Sequence, residues 1–213
     1  MSALVLHDYW RSGACYRVRI ALGLKGLAYR QVGHDLRAGA QADPGYAAVN
    51  PQHLVPALEV GGQALTQSLA IIEWLDETYP EPRLLPTDPH GRALVRAMAQ
   101  IVCCDVHPLN NLRVLDALRG DFGADQAAIK AWTGRWIHEG LTALETQVAR
   151  HGGHFCFGDE PTLADCCLVP QLYSARRFEV ALGGYPALTA IAAHCESLDT
   201  FRRAHPDMQA GSP

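Results

Sequence analysis

A chain of 213 residues, 48% hydrophobic and 19% charged, is long enough to bury one large core or two smaller ones. Its formal net charge of -4 gives no basic field for nucleic acid, and no apolar run approaches the roughly 20 residues of a membrane-spanning helix. Seven cysteines, an odd number with no basic-then-apolar leader ahead of them, do not form a secretory disulfide framework and lead to the expectation of a reducing, cytoplasmic setting.

In chain order, Leu4 to His7 reads as a short strand. It runs into Tyr9-Trp10-Arg11-Ser12-Gly13-Ala14-Cys15-Tyr16-Arg17, where a hydroxyl residue opens an amphipathic helix that ends at Lys25-Gly26. A helix start of this kind presents a side-chain hydroxyl beside unpaired backbone N–H groups, with Arg11 and Arg17 adding positive charge. That combination favours an anion, and a thiolate is one. Tyr29 to Val32 reads as a second strand, followed by a loop and an irregular helix from Asp35 to Val49. Ala57 to Val60, Gly61-Gly62 and Ala64 to Thr66 predict a hairpin with its turn glycines in place. Ser68 to Tyr79 predicts a helix with Ser68 as hydroxyl N-cap. The order β-α-β-α-β-β-α predicts a mixed sheet covered by helices.

The proline-dense stretch from Pro80 to Pro89 reads as a linker, dividing a domain of residues 1–82 from one of residues 88–213. Helical periodicity dominates beyond it. Asp88 to about Leu118 reads as a long helix or a pair, which places His107 and Asn111, four apart, on one face. Asp125 to about Arg150 is another helix, Thr162 opens one that runs through Phe178, and Pro186 and Asp199 begin two more. Thr162-Leu163-Ala164-Asp165 matches a capping box with Asp in place of Glu, which gives Asp165 a structural task. The pairs Cys103-Cys104 and Cys166-Cys167 lack the C-x-x-C spacing that wraps a tetrahedral ion, and His151 and His154 have no partner cluster, so no metal is expected.

Several of these segments, taken together and in order, resemble a known family. They are Arg11-Ser12 with Arg17-Val18-Arg19-Ile20-Ala21-Leu22, Asn50-Pro51, Leu54-Val55-Pro56-Ala57-Leu58 and Gln67-Ser68-Leu69-Ala70-Ile71-Ile72-Glu73, then His107-Pro108-Leu109-Asn110-Asn111 and Ser174-Ala175-Arg176-Arg177-Phe178. The set is similar to the zeta class of cytosolic glutathione transferases, which includes the maleylacetoacetate and maleylpyruvate isomerases, and it covers nearly the whole chain. The resemblance implies a thioredoxin-like α/β domain followed by an all-α domain, a homodimer, and glutathione as cofactor. The activity implied is cis–trans isomerisation of a maleyl keto or diketo acid to its fumaryl isomer, by thiolate addition, rotation about the single bond of the resulting enolate, and expulsion of glutathione. The alternative activity is conjugation of glutathione to small electrophiles. The resemblance does not choose between the two maleyl acids.

The same resemblance implies roles for individual residues. Ser12 activates the thiol of glutathione, whose free pKa of about 8.5 leaves only a few per cent ionised at neutral pH. Gly13, Ala14 and Cys15 complete the turn around it. Val55, before a proline that can take the cis form, offers its backbone to the tripeptide. Gln67 and Ser68 receive the γ-glutamyl carboxylate, Gln41 reaches the glycyl carboxylate, and His107 and Asn111 contact glutathione. Arg11, Arg113 and Arg177 hold the substrate carboxylates, with Arg176 the alternative to Arg177, because guanidinium groups bind carboxylates bidentately. Cys15, in the first helical turn, admits a second reading as a nucleophile. The zeta-like pattern places its cysteine one position earlier, at Ala14, which favours Ser12.

Overall fold

The computed structural model describes residues 3–212. The chain divides into two compact units: the described residues up to Leu84 together with those from Ser197 onward, and residues 85–196. The division after Leu84 falls within the proline-dense stretch.

The first unit is built on a four-stranded sheet in the order β2-β1-β3-β4, from β1 (Leu4–Asp8), β2 (Tyr29–Gly33), β3 (Ala57–Val60) and β4 (Gln63–Thr66). β1 pairs in parallel with β2, from Leu4↔Tyr29 to Asp8↔Gly33, and antiparallel with β3, with Leu6 opposite Leu58. A parallel pair needs a crossover, supplied by α1 (Gly13–Leu24). β3 and β4 form the expected hairpin, and Gly61 and Gly62 both take positive φ (56° and 82°), as a two-residue turn between twisted strands requires. The irregular segment resolves into a 3-10 turn (Ala40–Ala42) and α2 (Pro44–Val49), capped by Asp43. α3 (Ser68–Thr78) closes the unit, and Lys25 pins its end by donating to Asp76 (2.6 Å) and to the carbonyls of Tyr79 and Pro82.

The centre of this unit is charged. Arg19 and Asp8 are fully buried side chains joined by an ion pair in which Nη1 donates to both carboxylate oxygens (2.8 and 2.9 Å). Arg19 also donates to the carbonyls of Trp10 and Ala204, and Gln31 donates to Asp8. The bond to Ala204 belongs to α9 (Asp199–Ala204), which packs against α1. Gly23 permits that contact, since a Cβ there would meet Thr200 Cγ2 at 2.8 Å. These bonds explain why the residues from Ser197 onward group with the sheet and not with the helices that precede them.

The second unit is helical: α4 (Pro89–Gln100), α5 (Leu112–Gly120), α6 (Gln126–His151), α7 (Leu163–Arg177) and α8 (Pro186–Ser197). α7 is its axis, with the whole stretch from Leu163 to Leu172 buried. The capping box is formed: Asp165 accepts from the Thr162 N–H and hydroxyl and from the Cys156 N–H at 2.8–2.9 Å. Burial pushes the Asp165 carboxyl up and these hydrogen bonds oppose the shift. Asp165→Ala strands three buried donors and is expected to cost about 3 kcal/mol or more. A fall in melting temperature of less than about 5 °C would show that these donors find other partners.

Of the long helix or pair expected over residues 88–118, the structure has the pair, α4 and α5, with a break between them. α4 continues as a π-helical stretch (Ile101–Val106), with His107 N–H bonded to the Val102 carbonyl, then as a 3-10 turn (Pro108–Asn110). Asn111 is extended (φ -67°, ψ 146°) and caps α5 by accepting from the Arg113 N–H. His107 and Asn111 therefore do not share a helical face, a correction to the periodicity reading. Proline supplies no N–H at position 108, and the short polar side chain at 111 competes for backbone donors as an N-cap does. A close approach accompanies the π-helical stretch: a Cβ on Gly140 of α6 would lie 2.1 Å from Val106 Cγ2.

Candidate active site

Ser12 is the N-cap of α1, in extended backbone (φ -67°, ψ 121°), and its Oγ accepts from the Cys15 N–H at 3.3 Å. An oxygen engaged as acceptor keeps its own proton for donation elsewhere. Gly13 and Ala14 follow in the first turn, half-buried. The Arg11 guanidinium lies over the Trp10 ring, 5.3 Å from its centroid, as a half-exposed cation beside this helix start.

Cys15 is fully buried in an apolar cluster with Tyr9, Tyr46, Val55 and Ala57. Burial pushes its thiol well up, the Asp8 carboxylate pushes it further, and the hydrogen bond with Ser12 opposes both only in part. A neutral, enclosed thiol has the properties of a packing group, not of a nucleophile.

The loop before β3 is clamped from two sides. Tyr46 Oη and Asn50 Nδ2 both donate to the Leu54 carbonyl (2.5 and 2.6 Å), and Asn50 Oδ1 accepts from the Gln52 N–H. This delivers the Val55–Pro56 peptide, which is cis, ahead of the first residue of β3. Val55 is thus outside the ladder. Gln41 lies in the 3-10 turn; its carbonyl meets His53 Nδ1 at 3.0 Å, and its side-chain Oε1 is buried without a hydrogen-bond partner among the described residues.

At α3 the structure corrects the capping expectation. The N-cap is Gln67, at positive φ (69°), and its side chain makes no cap bond. Its Nε2 donates instead to Gln52 Oε1 (2.8 Å). Ser68 is the first helical residue, buried, and its Oγ accepts from Arg17 Nη1 at 3.2 Å. Arg17 was legible only as positive charge near the helix start. Its burial was signalled by its place inside the apolar run of α1, but its partner 51 positions away was not.

In the second unit, His107 and Asn111 occupy the break described above. Arg113 is exposed in the first turn of α5. At the end of α7, Arg176 pairs with Glu196 (2.8 Å), whereas the Arg177 guanidinium lies over the Phe178 ring, 5.2 Å from its centroid.

Comparison with known proteins places this geometry. Family models for the N-terminal and C-terminal domains of glutathione S-transferase match residues 6–83 and 126–206. The chain is 54% identical over 209 residues to a maleylpyruvate isomerase from a Ralstonia species, covering 97% of this chain and 99% of that protein. It superposes with a TM-score of 0.96, at 53% identity, on a holo maleylpyruvate isomerase structure described as a bacterial zeta-class glutathione S-transferase, covering 98% of this chain and all of that one. A maleylacetoacetate isomerase from Anaeromyxobacter dehalogenans, with dicarboxyethyl glutathione and citrate bound in its active site, gives a TM-score of 0.88 at 45% identity over 99% of this chain and 94% of that one. By these family models, identities and superpositions, this chain belongs to the glutathione S-transferase family, in its zeta class of maleylpyruvate and maleylacetoacetate isomerases.

Proposed function

We propose that this chain catalyses the glutathione-dependent cis–trans isomerisation of maleylpyruvate or maleylacetoacetate to the fumaryl isomer. The observation that carries this is Ser12: it opens α1 beside the helix N-terminus, and its Oγ, accepting from the Cys15 N–H, retains a proton that it can donate to a bound thiolate. The residues fit the tripeptide. Ser68 and the unpaired N–H groups opening α3 suit the γ-glutamyl carboxylate, together with Gln67. Val55, outside the ladder, suits strand-like pairing with the peptide backbone, and Gln41, in the 3-10 turn, suits the glycyl carboxylate through its side-chain NH2, the donor end of the amide. His107 and Asn111 take further contacts to glutathione.

Bound glutathione supplies a sulfur nucleophile that adds reversibly to the maleyl double bond. The dicarboxyethyl group carried by glutathione in the Anaeromyxobacter relative is what addition across a butenedioate yields. In this chain Ser12 and the N-terminus of α1 hold the sulfur as thiolate. Arg11, Arg113 and Arg177 orient the substrate carboxylates, and Arg11 offsets the negative charge that develops on the keto oxygen. Arg176 is paired with Glu196, and the carboxylate contact is assigned to Arg177, whose guanidinium lies over the Phe178 ring. The unit built on the sheet, which includes the residues from Ser197 onward and so departs from the 1–82 and 88–213 division, is the glutathione-binding domain, and residues 85–196 are the substrate domain of a cytoplasmic homodimer.

The test is maleylacetone with glutathione at a hundredth of its concentration. Fumarylacetone is expected in large excess over glutathione with the free-thiol titre unchanged. Consumption of thiol with accumulation of a stable adduct would establish conjugation instead.

A further inference from the structure

We propose that Arg17 is a positioning residue for glutathione recognition: bonded to Ser68 at the start of α3, it fixes the Ser68 hydroxyl as a donor and supplies the positive charge that selects a carboxylate there. The inference rests on the reading that the start of α3 receives the γ-glutamyl carboxylate.

Four observations carry it. Arg17 is only 2% exposed, and no carboxylate pairs with it among the described residues. A buried guanidinium without a counter-ion is costly unless an anion reaches its neighbourhood. Its Nε is buried with no hydrogen-bond partner, so the donor set of the fork is incompletely used. Its Nη1 donates to Ser68 Oγ at 3.2 Å. Finally, α3 has no side-chain cap, and its first intrahelical bond is Ile71 N–H to the Gln67 carbonyl, which leaves the N–H groups of Ser68, Leu69 and Ala70 without helical partners.

The hydrogen-bond direction follows from elementary chemistry. Arginine cannot accept a hydrogen bond and stays protonated, so the Ser68 oxygen is always the acceptor in this pair. The hydroxyl proton must then point away from Arg17, and a carboxylate at the helix start takes it as a charge-assisted bond. Arg19, two residues on, shows the contrast: its charge is neutralised by Asp8, so it serves the fold. Arg17 carries the uncommitted charge.

The test compares glutathione with 4-aminobutyryl-Cys-Gly, which keeps the amine and lacks only the γ-glutamyl carboxylate, by titration calorimetry on the full-length protein. The native protein is expected to prefer glutathione strongly. Arg17→Gln is expected to weaken glutathione about 10- to 100-fold and to change binding of the truncated peptide less than about threefold, with Arg17→Lys recovering part of the loss. If the native protein binds both peptides equally, the carboxylate reading of α3 fails and the inference with it. If the native protein discriminates but Arg17→Gln keeps its glutathione affinity, or weakens both peptides alike, only the role of Arg17 is overturned. Should Arg17→Gln not fold, Arg17→Lys is read in the same way, and undiminished discrimination in it overturns the inference.

Discussion

Ser12→Ala is expected to lower kcat about 100- to 1,000-fold, the range seen when one preorganised donor to a developing or resident anion is removed. Two functions of one hydroxyl are lost together. As N-cap it accepts from the Cys15 N–H, a contribution of about 1 kcal/mol that shifts the melting temperature by only a few degrees. In the proposed role as donor to the glutathione sulfur it favours the thiolate, and its removal is expected to return the thiol toward its free pKa of about 8.5. The activity of Ser12→Ala should therefore climb between pH 7 and 9 while that of the native enzyme levels off. Steady-state isomerisation and the thiolate absorbance of the glutathione complex, each followed against pH, check the two parts. A kcat within threefold of native would transfer the activating role to the α1 N–H groups alone. Cys15 does not offer a substitute nucleophile, because burial keeps its thiol protonated.

The second large effect concerns stability. Asp8→Ala is expected to cost about 3–5 kcal/mol, since it leaves the Arg19 guanidinium buried without its counter-ion and removes the acceptor used by Gln31. In a chain of this size each kcal/mol moves the melting temperature by about 2–4 °C, so a fall of about 6–20 °C is expected. The loss reaches past the pair: Arg19 also holds the carbonyls of Trp10 and Ala204, so loosening it frees α9 from α1. Urea unfolding should show the midpoint fall, and hydrogen exchange should show early opening of residues 199–204. A cost under 1 kcal/mol would mean that Arg19 reaches water when its partner is gone.

The elements were legible wherever the signal is local. The Gly61-Gly62 turn, the Thr162–Asp165 capping box and the hydroxyl at the start of α1 each depend on residues within a few positions, and the structure contains all three. The interruption between His107 and Asn111 was also written locally, in Pro108 and Asn111, but apolar periodicity read through it. At α3, a serine at the start of an apolar helix was read as a cap. In the structure Ser68 is the first helical residue, its oxygen accepts from Arg17 51 positions away, and Gln67 at positive φ is the boundary residue.

The sequence by itself determined the alternation of strands and helices, the helix-start hydroxyl at Ser12, the arginines at 11, 113 and 177, and through the ordered motifs the family. Only the tertiary structure decided which charges are spent on the fold and which remain for chemistry. Arg17 and Arg19 stand two apart in one helix, equal by charge and both enclosed. Asp8, 11 positions from Arg19, neutralises it, and the Ala204 carbonyl, 185 positions away, accepts from it, while among the described residues Arg17 has no carboxylate partner and donates to the Ser68 hydroxyl. Burial and pairing are properties of distances in space, and a one-dimensional pattern carries them only when the partners lie within a turn or two of each other.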